Sequence, residues 1–106
     1  VLLQHGAEID SQDSAWPALT AAAQEGQERV VDLLLRRGAE IDLQDKNGDT
    51  ALIFAAAHNR PAVVLRLLRA GADMTLRDVD GKTALQSAKE KGHAECVQAF
   101  RAYLGE

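Results

Sequence analysis

Residues 45–77 read DKNGDTALIFAAAHNRPAVVLRLLRAGADMTLR, and the fold turns on this stretch. It opens on Asp45-Lys46-Asn47-Gly48-Asp49, a run of turn formers with Asn-Gly at its centre. Thr50 stands where a helix N-cap belongs, its hydroxyl placed to accept a backbone N–H two or three residues on. Residues 51–58, ALIFAAAH, are strong helix formers apart from Ile53 and Phe54. Asn59 follows, and asparagine is second only to glycine at the left-handed position that ends a helix. Pro61 suits the first turn of a second helix, where a missing N–H costs nothing. Val63, Val64, Leu67 and Leu68 then recur at helical spacing and form one apolar face. Gly71 stops that helix, and Ala72–Leu76 is expected to lead out as an extended link.

The same reading holds outward in both directions. Leu19, Leu52 and Leu85 are spaced by 33 residues, as are Ala22, Ala55 and Ala88. Val31, Val64 and Val97, then Leu34, Leu67 and Phe100, keep the same period. The helix-ending positions Gly26, Asn59 and Gly92 coincide, and so do Gly38 and Gly71. A fixed period of this length means tandem units of supersecondary structure. Each unit is a turn, a short helix, a tight turn and a second helix. Neither helix is long enough to hold itself together in water, so each must bury its apolar face against the next unit. The fold class expected is all-α, a solenoid of helix–turn–helix repeats with β-turn or hairpin fingers.

These residues resemble the ankyrin repeat. The family pattern runs D-x-x-G-x-T-P-L-H-x-A-A-x-x-G-H, followed by an apolar helix ending L-L-x-x-G-A-D. The chain offers Asp45, Gly48, Thr50, Leu52, Ala55, Ala56, Leu67, Leu68, Gly71, Ala72 and Asp73, then Asp78, Gly81, Thr83, Leu85, Ala88, Gly92 and His93. The resemblance covers essentially the whole chain. It implies turn tips that project as fingers and first helices that line a concave face used for binding. Departures occur as well. The proline after threonine is Ala51 and Ala84, and the following histidine is Ile53 and Gln86. The segment Asp13-Ser14-Ala15-Trp16-Pro17-Ala18-Leu19 is one residue shorter than its counterpart and lacks the turn glycine. A distorted finger and a weaker first helix are expected there.

Division by the period gives one domain over residues 1–106: the end of a repeat at 1–12, repeats at 13–44 and 45–77, and a unit at 78–106. Val1-Leu2-Leu3-Gln4-His5 matches the last turn of a second helix, which makes the chain look cut from a longer array. Lys89 and Arg101 replace interior alanine and leucine positions of the other repeats. A buried, unpaired cation is costly, so residues 78–106 are expected to act as the C-terminal cap.

Bulk composition narrows the functional classes. The net charge is −4, but residues 1–42 carry eight acids and three bases, 43–77 three acids and five bases, and 78–106 five acids and four bases. No segment is basic enough for a phosphate-backbone footprint, so nucleic acid is not an expected partner. The only cysteine, Cys96, excludes an internal disulfide and a cysteine–zinc cluster. No apolar run approaches the roughly 18 residues that span a bilayer. An intracellular setting, cytoplasmic or nuclear, is expected.

Catalytic and metal chemistry find no purchase. Aligning Gly48 or Gly81 with the turn glycine of a calcium loop puts Leu43 or Leu76 at the first ligand and Phe54 or Ser87 at the last, and both alignments fail. The histidines, at 5, 58 and 93, show no i, i+4 ligand pair. Nothing near His58 resembles an activated nucleophile. Cys96 lies on the apolar side of the last helix and reads as a small buried hydrophobe. No cofactor and no metal are expected, and no enzymatic activity.

What remains is a binding surface, and the resemblance places it on the fingers and first helices. Carried over position by position, it comprises Ser14, Trp16, Gln24, Glu25, Lys46, Asn47, Asp49, Ala57, His58, Val79, Asp80, Lys82, Glu90 and Lys91. The mixture of charge and apolar tips suits another protein as partner. Trp16 is either a contact residue or the filler of the shortened turn. The chain itself is expected to be monomeric or to associate through its open N-terminal end. Two other roles fit the same sequence: a spacer docking within its parent chain, and a substrate-recruiting segment of a larger enzyme.

Overall fold

The computed structural model describes residues 18–105, and within them six helices pair into three repeats. They are α1 (Ala18–Glu25), α2 (Glu28–Arg36), α3 (Ala51–Ala57), α4 (Pro61–Arg69), α5 (Ala84–Glu90) and α6 (Ala94–Leu104). The expected all-α solenoid is the fold observed. The stretch that includes Ser14 and Trp16, with its shortened turn, lies outside the described residues.

Local chemistry starts and stops each helix. Thr50 takes an extended backbone, and its hydroxyl accepts the Ile53 N–H at 3.2 Å, so one otherwise unsatisfied donor of α3 has a partner. Thr83 does the same for Gln86 at 3.3 Å. The Gln86 side chain in turn accepts the Thr83 N–H at 2.9 Å, closing a reciprocal capping box. The glutamine that departs from the family pattern therefore has a structural use. Pro61 occupies the first turn of α4. Asn59 has φ of 57°, the left-handed conformation expected at the α3–α4 turn.

The extended link after Gly71 is interrupted. Residues 74 and 75 form a turn, and Asp73 Oδ1 accepts the Thr75 N–H at 2.9 Å. An aspartate folding back on its own backbone two residues on is a local competitor to extended structure. The Asp73 N–H itself reaches across to the carboxylate of Asp42 in the previous repeat at 2.8 Å.

Two layers result. First helices pack on first helices, α1 on α3 and α3 on α5; second helices pack likewise, α2 on α4 and α4 on α6. Small residues make the first layer possible, since Ala22, Ala23, Ala55, Ala56 and Ala88 are all buried and let the backbones approach. The second layer carries the larger side chains. Val63, Val64, Leu67 and Leu68 are all buried on α4, which lies between α2 and α6, whereas α2 buries only Val31 and Leu34. Each such fully buried aliphatic side chain contributes about 1.5–3 kcal/mol.

Polar groups add inter-repeat ties. His93 Nδ1 lies 3.0 Å from the Ala56 carbonyl, and Arg60 Nε donates to the Gln24 carbonyl at 2.9 Å. Arg66 bridges to both Glu28 and Asp32 across the second-helix layer. Cys96 is fully buried, with its sulfur 4.0 Å from the Ala55 carbonyl, and burial pushes its thiol up to about 11. It is the inert core residue the sequence implied. Lys89 and Arg101 are exposed, although their equivalents Ala56 and Leu68 are buried. No helix among the described residues is long and apolar enough to cross a membrane.

Candidate binding groove

The fingers are built twice from one recipe. Asp45 Oδ1 accepts the N–H groups of Asn47 and Asp49, each at 2.9 Å, while the Gly48 N–H donates to the Asp45 carbonyl. Asp78 repeats this, its Oδ1 accepting from Asp80 at 2.9 Å and Lys82 at 3.0 Å. The two fingers are then stitched together. The Val79 N–H donates to the Asn47 carbonyl at 3.0 Å, and Gln44 Nε2 bridges the carbonyls of Gly48 and Arg77 at 3.0 and 3.2 Å. The two fingers are thereby tied directly to one another. Val79 is the most exposed large apolar residue of the described chain, at 70%.

Between these fingers and the first helices α3 and α5 lies a groove of about 490 Å³. Ile53, Phe54 and Ala57 line it from α3, and Ser87 and Glu90 from α5. Asp49, Asp78, Asp80 and Lys82 line it from the fingers, and His58 and Lys91 close it at the helix ends. The His58 ring stacks on Phe54 with centroids 6.0 Å apart and planes at 21°, and its Nδ1 lies 3.0 Å from the Phe54 carbonyl. Lys82 pairs with Glu90 at 2.6 Å, tying a finger to α5 and raising the lysine's pKa. Asp49 is the unusual group. Its carboxyl is pushed up to about 6, first by burial, then by the neighbouring carboxylates of Asp45, Asp78 and Asp80.

Of the surface residues expected from sequence, the groove gathers Asp49, Ala57, His58, Asp80, Lys82, Glu90 and Lys91. Lys46, Asn47 and Val79 stand exposed at the fingertips outside it, and Gln24 and Glu25 lie at the end of α1. Ser14 and Trp16 lie outside the described residues. The sequence reading missed Ile53, Phe54, Asp78 and Ser87 as lining. The i, i+4 relation of Phe54 to His58 was a signal that could have found one of them. Among the described residues no group of three or more His, Cys, Asp or Glu side chains is arranged to hold a metal ion.

Stacked helix pairs, paired fingers and a groove between fingers and first helices define a helical repeat protein. Comparison with known proteins gives the particular kind. The family described as ankyrin repeats in three copies matches residues 1–78 and 19–103, and the chain belongs to it. It is 45% identical over 56 residues, 53% of its length, to the ankyrin repeat domain-containing protein SAT10 of Stachybotrys chartarum. It is 44% identical over 57 residues, 52% of its length, to the 2-5A-dependent ribonuclease of Homo sapiens. To the ankyrin repeat and SAM domain-containing protein 6 of Mus musculus it is 42% identical over 53 residues, 48% of its length. The matched segments are only 3%, 8% and 6% of those proteins. Ankyrin repeats are generally protein–protein interaction modules and typically non-catalytic.

Proposed function

We propose that the chain is a non-catalytic interaction module that binds a partner protein through its fingertips and concave first-helix face, inside the cell, in cytoplasm or nucleus. The observation that carries this reading is the groove between the two fingers and α3 and α5, lined by apolar side chains at its base and charge at its rim. An apolar floor with polar rim groups is the anatomy of a specific protein interface. The fingers are cross-linked by main-chain and Gln44 hydrogen bonds, which lowers the ordering cost of association. The repeat division at 13–44, 45–77 and 78–106 belongs to the same reading.

The test is a comparative capture. The chain and a variant carrying His58→Ala, Val79→Asp and Lys82→Glu, matched for helical content by circular dichroism, are used to capture proteins from cell lysate. A protein retained by the first and lost by the second supports the finger-face site. Equal retention moves the site to the second-helix face, and capture of nothing by either favours the spacer role. A second reading has one specific observation behind it: the matched segment of the human ribonuclease is a small part of an enzyme. On that reading the module recruits substrate for chemistry carried elsewhere in its parent protein.

A further inference from the structure

The chemistry of the groove narrows the partner. Its floor is apolar, formed by Ile53, Phe54 and Ala57, and its lining carries four carboxylates, Asp49, Asp78, Asp80 and Glu90, against the ammonium groups of Lys82 and Lys91. These charges are not equivalent. Glu90 is engaged by Lys82 at 2.6 Å. Asp78 is committed to its own finger, where one carboxylate oxygen accepts two backbone N–H groups. The backbone turns depend on Asp45 and Asp78, not on Asp49 and Asp80. Those two are the groove acids that neither hold a turn nor form a close ion pair, though Lys82 lies near enough to Asp80 to feel its charge.

Charge compensation is correspondingly incomplete around Asp49. Every influence that shifts it, burial first and then three neighbouring carboxylates, opposes its ionisation. Placing a cation beside it would relieve that opposition, and an anion would meet like charge, which costs interfaces dearly. The apolar floor next to the acids matches the hydrocarbon stem of a long basic side chain, which lies along apolar surface while its head reaches polar groups.

Resting on the groove's role as a partner site, we propose that it receives an extended protein segment bearing an arginine or lysine, its cation between Asp49 and Asp80 and an apolar neighbour on Ile53, Phe54 and Ala57. Arginine fits better than lysine, because its planar fork can serve two carboxylates at once.

The experiment is selection of short peptides from a random displayed library on the whole chain, followed by amide chemical-shift mapping of the selected peptides. Affinities are then measured on the chain and on Asp49→Asn/Asp80→Asn. That variant keeps both turn aspartates and loses repulsion, so it should fold at least as well. The expected result is enrichment of arginine or lysine at one position with an apolar neighbour, shifts at Asp49, Ala57 and Asp80, and roughly tenfold weaker binding to the variant. Replacing the peptide's arginine by neutral citrulline should weaken binding to a similar degree. Peptides that shift the groove but show no basic enrichment, or that bind the variant equally well, overturn the basic-anchor proposal and leave the groove reading standing. Peptides that shift only the second-helix face, or a selection that yields none, overturn both.

Discussion

At the scale of single residues, the fingers separate two glycines that look alike in the sequence. Gly48 and Gly81 occupy the same turn position with φ of 76° and 79°. A Cβ on Gly48 would meet the Asp78 Cα at 3.1 Å, whereas one on Gly81 would meet nothing within 4 Å. Gly81→Ala should therefore cost only the left-handed penalty, about 1–2 kcal/mol. Gly48→Ala should cost more, because backbone of the next finger must also shift. Denaturation midpoints of the two variants check the order, and equal costs would mean that the fingers are not held against one another.

Asp49 gives the second residue-scale prediction. Its folded pKa of about 6 lies above the ordinary 3.8, so the folded state binds a proton there before the unfolded state does. The penalty is fully present above pH 6 and fades as pH falls towards 4. Asp49→Asn should raise stability at pH 7.5 by under about 1 kcal/mol, since the carboxyl remains partly solvated. The gain should shrink at pH 4.5, and urea denaturation at both pH values reads it. A gain unchanged by pH would mean that neither burial nor the neighbouring carboxylates oppose its charge in the folded state.

Much at this scale was legible. Thr50, Thr83, Asn59 and the two finger aspartates announce themselves, because caps and turns are contacts between residues a few positions apart. Contacts one repeat apart were not. Nothing in the local sequence says that Arg66 meets Glu28 and Asp32, that Arg60 reaches the Gln24 carbonyl, or that Gln44 joins two fingers. The carboxylates that raise Asp49 come together only when Asp78 and Asp80 of the next repeat stack beside it.

Among elements, α4 is the keystone. It packs against α3 in its own repeat and against α2 and α6 on either side, and its apolar face is wholly buried. The three- and four-residue spacing of Val63, Val64, Leu67 and Leu68 made that face readable. Leu67 is 0% exposed, and Leu67→Ala should cost about 2–5 kcal/mol through lost transfer energy and the cavity left behind. A shift in chemical denaturation well below that would mean the repeat register is misassigned. The link after Gly71 was less legible, because the Asp73 turn competes with an extended chain whose polar pattern looks the same.

For the molecule as a whole, stability is a sum of neighbour interfaces rather than the property of one core. The repeat containing α3 and α4 has packed neighbours on both sides, and α5–α6 meets its described neighbour on one side only. Native-state hydrogen exchange should therefore be slowest in α3 and α4 and faster in α5 and α6. Uniform protection would indicate a single cooperative unit. The solenoid itself was fully legible, since a period of 33 residues is a property of the entire chain. The groove was half legible. Its rim follows from the repeat register, but its floor of Ile53 and Phe54 emerges only when α3 and α5 are set side by side.

The central claim is that the finger-and-first-helix face is where a partner binds. It is tested most directly by a hydrogen-exchange footprint of the chain, free and in complex with a protein recovered by the comparative capture. Slowed exchange confined to the Asp45–Asp49 and Asp78–Lys82 fingers and to α3 and α5 is the predicted result. Slowed exchange on α2, α4 and α6, with the fingers unchanged, would contradict it.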